Sequence, residues 1–328
     1  MPPRVLVTGA AGQIGSELVV ALRKRYGSEN VVATDKAVTR AQAAAGLLEP
    51  LDVMHLSSVE RAVKAHGIDT IYHLAAILSA SGEANPDLAW DVNMGGLKNI
   101  LDVSTRYKAG KVFWPSSIGV FGPDARKVRA PQDGPLNPTT MYGVTKVAGE
   151  LLSEYYSLKH GLDVRSVRFP GLISSEAKPG GGTTDYAVEI FYSALQSGRY
   201  TCFLKEDTTL PMMYMPDALR AAMELMEADR VRLHRGYNVA AMSFSAGRLA
   251  SEIKKHLPEF SVTYSPDARQ AIADSWPRSI DDSAARSDWG WKEEYGLAPM
   301  VADMLARLRR RLVPGEKTFN ATSGRTHR

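Results

Sequence analysis

The sequence predicts an α/β fold, a doubly wound parallel sheet with a smaller C-terminal lobe. Two observations carry this. Apolar runs of four or five residues alternate with stretches of helical period through the first half, and the first run ends in a glycine-rich turn that leads straight into a helix. Length and composition allow it: 328 residues, 44% hydrophobic and 23% charged, suit one large domain with a smaller companion and exclude disordered or collagen-like chains.

The elements follow in order. Val5 to Val7 reads as a strand, Ile14 to Leu22 as a helix, Val31 to Thr34 as a strand, Val59 to Ala65 as a helix and Thr70 to Leu74 as a strand. A helix from about Asp87 to Tyr107, a strand at Lys111 to Trp114, a helix from about Thr140 to His160 and a strand at Asp163 to Phe169 continue the alternation. Short runs apolar on both faces suit strands buried between two helix layers, and repeated strand-helix-strand units imply a parallel sheet. After Pro170 the texture changes to more loop and shorter elements. We therefore expect a nucleotide-binding domain over 1–170, with some later segments returning to it, and a lobe over 171–312 that lies across the carboxyl edge of the sheet. Val301 to Leu312 reads as a closing amphipathic helix, and 313–328, with little to bury, as a disordered tail.

Charge and cysteine narrow the class. Of 40 Lys and Arg, seven lie in 301–328 beside Asp303 and Glu316, so the rest of the chain carries 33 basic against 34 acidic residues. The net charge of +4 thus belongs to a terminal helix and tail, and no nucleic-acid partner is expected. A single cysteine, Cys202, cannot form an internal disulfide and reads as a small buried apolar residue. No stretch approaches the roughly 20 apolar residues of a membrane span. Arg4 to Thr8 already reads as a core strand, so we expect no leader segment and a cytoplasmic protein without membrane or metal.

The glycine turn carries the first chemistry. Thr8-Gly9-Ala10-Ala11-Gly12-Gln13-Ile14-Gly15 joins strand to helix, where a backbone must turn tightly and offer unpaired N–H groups to a pyrophosphate. Twenty residues past Gly15 stands Asp35, whose carboxylate can accept from a ribose 2′-hydroxyl and would repel a 2′-phosphate; this selects NAD over NADP. Lys36 follows and weakens that selection slightly. On the helix from Thr140, Tyr142 and Lys146 are four residues apart and share a face. A fixed cation beside a phenol favours its anion, a base that can take a proton from an alcohol near neutral pH.

The Gly-x-x-Gly-x-x-Gly spacing, on what is then a Rossmann sheet, resembles the extended short-chain dehydrogenase/reductase superfamily. The resemblance implies that Gly9, Gly12, Gln13, Ile14 and Gly15 hold the dinucleotide, that Asp52 and Val53 of Leu51-Asp52-Val53 lie at the adenine, and that Leu74, Ala75 and Ala76 after His73 line the cofactor. Ser117-Ile118-Gly119-Val120-Phe121-Gly122 matches the segment whose serine orients the substrate oxygen, so Ser117, Tyr142 and Lys146 are the implied catalytic set, with Lys146 also at the nicotinamide ribose. The helices near 87–107 and 140–160 resemble those of a four-helix homodimer interface.

Within that superfamily two features set the chain apart from nucleotide-sugar 4-epimerases and dehydratases. Arg168-Phe169-Pro170-Gly171 stands where epimerases carry Arg-Tyr-Phe-Asn, and Ile118-Gly119 stands where dehydratases carry acidic residues. Leu78 to Pro86, Phe121-Gly122-Pro123, Pro179 to Phe191, Met213 to Ala218, Ser279 to Ser283 and Asp288-Trp289-Gly290-Trp291 instead resemble the short-chain-type L-threonine 3-dehydrogenases, over about residues 4 to 312. That resemblance implies oxidation of the L-threonine 3-hydroxyl by NAD, with Ser79, Ser117, Tyr142, Gly182 and Thr183 touching substrate. Gly180 to Gly182 followed by Thr183 and Thr184 is expected to offer hydroxyls and free N–H groups to a small carboxylate. Trp276, His73 and Asp185 are candidates for lining the pocket, with core or loop roles expected for each. A non-catalytic NAD-sensing regulator is the reading from another class; retention of Ser117, Tyr142 and Lys146 argues for an enzyme.

Overall fold

The computed structural model describes residues 1–39, 48–178, 180–228 and 236–312. Its centre is a six-stranded, wholly parallel sheet built from β1 (Val5–Thr8), β2 (Val31–Asp35), β3 (Glu49–Pro50), β4 (Thr70–His73), β5 (Lys111–Phe113) and, after the short β6 (Ser116–Ser117), β7 (Asp163–Arg165). The order β3-β2-β1-β4-β5-β7 runs outward in both directions from the first strand, with Val5 in register with Val31 on one side and Thr70 on the other. This is the Rossmann arrangement the sequence predicts, with its crevice at the carboxyl ends of the strands beside β1.

Alternation along β1 explains the two helix layers. Val5 and Val7 face a core shared with Leu18 and Leu22 of the Gln13–Tyr26 helix, and with Met213, Met215, Ala218 and Ala222 from far along the chain. Leu6 faces the opposite core with Ile71, Val112, Val59, Ile100 and Leu101. Later segments thus return to the first sheet. A third apolar cluster, including Phe191, Tyr214, Phe244, Leu249, Met304 and Leu305, gathers the Tyr186–Gln196 helix, the strands of the second half and the closing helix Leu297–Leu312.

Two expectations need correction. Asp163 to Phe169 is two strands: β7 stays beside β5, whereas β8 (Val167–Phe169) leaves the central sheet to pair with β6 and with a later strand, Tyr237–Asn238. Arg165 accompanies the break, its guanidinium donating to the carbonyls of Leu225 (2.6 Å) and Ala228 (2.7 Å) at the end of the Met215–Glu227 helix. The helix expected over Asp87 to Tyr107 runs Pro86–Trp90, Asp91–Gly95 and Gly96–Tyr107, and its middle turn is a π turn. The expected tail, 313–328, and Pro179 lie outside the described residues.

The Met141–His160 helix begins at Thr140, whose hydroxyl accepts from the Gly143 N–H at 3.1 Å. One side packs on the sheet. Its other side leaves Val144, Leu151, Tyr155 and Leu158 exposed at helical spacing, Leu158 by 70%, with Leu88 and Trp90 also exposed on the neighbouring helix. Among the described residues, no helix is long and apolar enough to cross a membrane.

Gly149 sets how closely the helix approaches the sheet, since a Cβ there would lie 2.4 Å from Trp114 Cη2. We expect Gly149→Ala to lose about 1–3 kcal/mol of stability through overpacking. Urea unfolding checks this, and an unchanged midpoint and slope would contradict it.

Candidate active site

A cleft opens where β1, β4 and β6 end, lined by Gly9, Gly12 to Gly15, Leu74, Ala76, Leu78, Ser79, Ser117, Tyr142, Lys146, Gly182, Thr183, Asp185 and Trp276 among others. The structure therefore brings together residues that the sequence separates by more than 260 positions. The glycine turn forms its floor. Gly9 has φ +68°, and a Cβ there would sit 2.6 Å from the Ala75 N, so Ala75 contributes its backbone beneath the turn. A Cβ on Gly15 would lie 2.2 Å from the Gly9 carbonyl oxygen. The Gln13–Tyr26 helix then starts without a side-chain cap and without an acidic residue in its first turn, leaving its positive end open to an anion. Gln13 adds a donor, because its Nε2 is buried without a hydrogen-bond partner.

At the end of β2, Asp35 accepts from the Ala11 N–H and the Ala37 N–H, each at 3.0 Å, one on each carboxylate oxygen. Each oxygen keeps further acceptor capacity for a ribose diol. Lys36 is not a free cation: its Nζ lies 3.1 Å from Asp52, so its pull on a 2′-phosphate is reduced. Val53 packs against the Gly96–Tyr107 helix, where a Cβ on Gly96 would lie 2.8 Å from Val53 Cγ2. An open helix start, an unpartnered amide donor and a carboxylate at the second strand fit NAD.

The reactive corner lies deeper. Lys146 is buried, donates to the Pro115 carbonyl at 2.6 Å, and stands over the rings of Trp114 (4.5 Å) and Tyr142 (5.5 Å). Burial pushes its ammonium down to about 7, with Glu150 opposing the fall. The Tyr142 phenol is pushed above its ordinary value by burial, with a hydrogen bond to Ser117 acting the other way. In place of the lowering expected from a neighbouring cation there is a rise, caused by dehydration of the phenol. Ser117 accepts from the Gly119 N–H at 3.1 Å, and Gly119 has no side chain because a Cβ there would lie 3.0 Å from Tyr142 Cε1.

At the far wall Ser79 and Thr183, 104 residues apart, are both buried with their hydroxyl oxygens 3.2 Å apart, and the Thr183 N–H donates to Ser79 Oγ at 3.3 Å. Two of the expected free N–H groups of the glycine run are taken within the loop. Asp185 Oδ2 accepts from Gly181 (2.8 Å) and Gly182 (2.7 Å), so hydroxyl oxygens rather than these amides remain for a ligand. Trp276 lines the cleft, held by Lys127, whose Nζ donates to the carbonyls of Asp274 (2.8 Å), Ser275 and Trp276. His73 lies behind the wall: one ring nitrogen meets Thr8 Oγ1 at 2.8 Å and the other is buried without a partner.

Three residues escaped the reading of the sequence. Asn93, buried in the π turn, clasps both the N–H and the carbonyl of Ile77 and donates to Thr145 Oγ1 at 3.1 Å. It ties the segment before Ser79 to the helix of Tyr142. A polar residue inside an otherwise apolar helix face was its only signal. Glu150, four residues past Lys146, continues the face of Tyr142 and Lys146 and could have been found by that spacing. Lys127 left no signal, because carbonyl capping by a distant lysine has no sequence period. Among the described residues, no group of three or more His, Cys, Asp or Glu could hold a metal ion.

His73 makes stability depend on acidity. Burial, and then the charge of Lys146, hold its imidazole down to about 3, against 6.5 ordinarily. Between those values the unfolded chain binds a proton that folded His73 refuses, so stability falls as pH drops through this window, by up to about 1.4 kcal/mol per pH unit. We expect His73→Asn to be less stable at pH 7 and to lose less than the wild type between pH 6.5 and 4.5. Parallel urea-unfolding losses in the two proteins would contradict this.

Comparison with known proteins gives the family. Residues 5–240 match the model of the NAD-dependent epimerase/dehydratase family. An uncharacterised epimerase/dehydratase of Staphylococcus haemolyticus is 51% identical over 307 residues, 92% of this chain and 96% of that protein. Among solved structures, the holo form of an L-threonine dehydrogenase from Cupriavidus necator superposes with a TM-score of 0.91 at 52% identity, covering 93% of this chain and all of that one. A monomeric L-threonine 3-dehydrogenase from a metagenome gives a TM-score of 0.91 at 49% identity, covering 94% of this chain and 99% of that one. With its glycine turn, its Tyr142 and Lys146 on one helix face and this match over most of its length, the chain belongs to the NAD-dependent epimerase/dehydratase family, the extended branch of the short-chain dehydrogenases.

Proposed function

We propose that the protein oxidises the 3-hydroxyl of L-threonine with NAD, giving 2-amino-3-oxobutanoate. The observation that carries this reading is the convergence of two hydroxyl groups, Ser79 and Thr183, on the cleft that also holds Ser117, Tyr142 and Lys146. Similarity to L-threonine dehydrogenases at about half identity supports it. A nucleotide-sugar substrate is disfavoured by Phe169-Pro170-Gly171, which lines the cleft and offers no side-chain amide to a diphosphate.

In this reading Ser117 Oγ holds the substrate hydroxyl, and Tyr142, acting from its ionised form, accepts the proton at Oη as the C3–O bond becomes a carbonyl. Bound NAD supplies the acceptor for the C3 hydrogen and its electron pair. Lys146, protonated, stabilises the Tyr142 anion, and Pro115 and Trp114 hold the ammonium at the required height. Thr183 and Ser79 exchange their mutual contact for the substrate carboxylate, while Gly182 permits its close approach. Gly9, Gly12, Gln13, Ile14 and Gly15 hold the pyrophosphate, Asp35 the adenosine ribose, Asp52 and Val53 the adenine, and Leu74, Ala75 and Ala76 the inner face of the dinucleotide. The place of work is the cytoplasm.

The direct test follows NADH absorbance with L-threonine, L-serine, 3-hydroxybutyrate and UDP-galactose. L-Threonine is expected to give the highest kcat/KM. Tyr142→Phe should lose about 10²- to 10⁴-fold in turnover while binding NADH normally, and Ser117→Ala about 2.7–4 kcal/mol of transition-state stabilisation. No NADH from L-threonine, or near-normal turnover by Tyr142→Phe, would contradict the reading.

A homodimer forms on the exposed stripe Val144, Leu151, Tyr155 and Leu158, in this proposal, with Leu88 and Trp90 extending it. Light scattering at micromolar concentration is expected to give about twice the 35.8 kDa of one chain, and Leu151→Glu/Leu158→Glu to return it to that mass. A wild-type mass near 35.8 kDa would contradict the interface.

A further inference from the structure

One helical turn past Lys146 lies a buried ionic cluster that the roles above do not use. Glu150 is fully buried, and the Arg168 side chain is 3% exposed. Glu150 Oε1 accepts from Ser116 Oγ at 2.5 Å and from Arg168 Nε at 2.9 Å, and Oε2 accepts from Arg168 Nη2 at 2.8 Å. Arg168 Nη1 continues to the Gln132 carbonyl at 2.7 Å. A Cβ on Gly236 would lie 2.8 Å from Glu150 Oε1, so the backbone there closes over the carboxylate. One carboxylate therefore joins the helix of Tyr142 and Lys146 to the strand end that carries Ser117.

We propose that Glu150 is a positioning residue for the reaction: through Ser116 it fixes the strand end bearing Ser117, and from one turn below it presents the negative charge that Lys146 faces. The groups around Lys146 leave this role to it. On its own helix lie Tyr142 and Glu150; from β4 comes His73, which stays neutral above about pH 3; from the segment after β5 come the Trp114 ring and the Pro115 carbonyl. Glu150 is the group whose charge opposes the effect of burial on Lys146, and Arg168 donates to both oxygens of that carboxylate. A carboxylate serving only to neutralise Arg168 would not need to accept a hydrogen bond from Ser116.

This rests on the reading of Tyr142 and Lys146 as the acid–base pair, so the test reads Lys146 itself. The NADH-bound full-length protein, with 15N-labelled lysine, is titrated by NMR as wild type, Glu150→Gln and Glu150→Gln/Arg168→Met. The double variant removes both buried charges and stays falsifiable should the single variant, with Arg168 left unpaired, fail to fold. Glu150→Gln is expected to bind the Lys146 proton about tenfold more weakly than wild type, and the double variant, which also loses the repelling Arg168 cation, more weakly by a smaller factor. A folded double variant with an unmoved Lys146 titration would overturn the proposed charge role. Ser116→Ala keeps both charges and tests the strand anchor: a reduced kcat with KM for L-threonine near wild type is expected, and an unchanged kcat overturns that half. If wild type does not oxidise L-threonine while the Lys146 titration moves as stated, the proposed substrate fails and the Glu150–Lys146 coupling stands.

Discussion

Holding an ammonium group out of water is the constraint around which the reactive corner is built. A buried charge is tolerated only where hydrogen bonds and opposite charge replace its hydration. Lys146 receives the Pro115 carbonyl, the faces of two aromatic rings and the field of Glu150. The neighbouring sequence is shaped by the same need. Gly149 lacks a side chain so that Trp114 can reach under the ammonium, and Gly119 lacks one so that the Tyr142 ring can come close to the turn. The result is a lysine that changes charge near pH 7, close enough to neutrality for nearby groups to decide its state.

Substrate-side geometry depends on fastening a loop at both ends. After β9 (Gly171–Ile173), Ser174 donates to Glu17 on the first helix at 2.5 Å, and Arg311 of the closing helix donates to the Glu176 carbonyl at 3.0 Å. At the other end Asp185 gathers the Gly181 and Gly182 N–H groups while Ser79 takes that of Thr183. Gly181 has φ +93°, and a Cβ there would meet Ser81 Oγ at 2.5 Å, so this tight turn over Ser81 requires glycine. The fold thereby ties the first helix and the closing helix to the start of this segment, and the cleft wall to its end.

Much of this was legible in the sequence because it follows local rules. The short runs apolar on both faces mark β1, β2, β4 and β5, and the glycine turn marks where a dinucleotide is proposed to lie. The four-residue spacing fixes that Tyr142 and Lys146 share a face, and the match around Ser117 brings it to them. What the sequence concealed is non-local. No period announces that Asp163 to Phe169 divides between two sheets, because the division depends on Arg165 reaching carbonyls sixty residues away. The glycine run at 180–182 reads as an open anion site until Asp185 is seen to occupy the amides of Gly181 and Gly182. The direction of the Tyr142 shift reverses for a related reason: sequence reveals the neighbouring cation, whereas the loss of water around the phenol emerges only on packing.

In the proposed reaction one cleft removes a hydrogen from C3 of L-threonine and delivers it to the dinucleotide. L-Threonine deuterated at C3 tests this most directly. The account predicts that the NADH formed carries the deuterium and that turnover under single-turnover conditions is slower than with unlabelled substrate. NADH formed without the label, or no NADH formed at all, would contradict it.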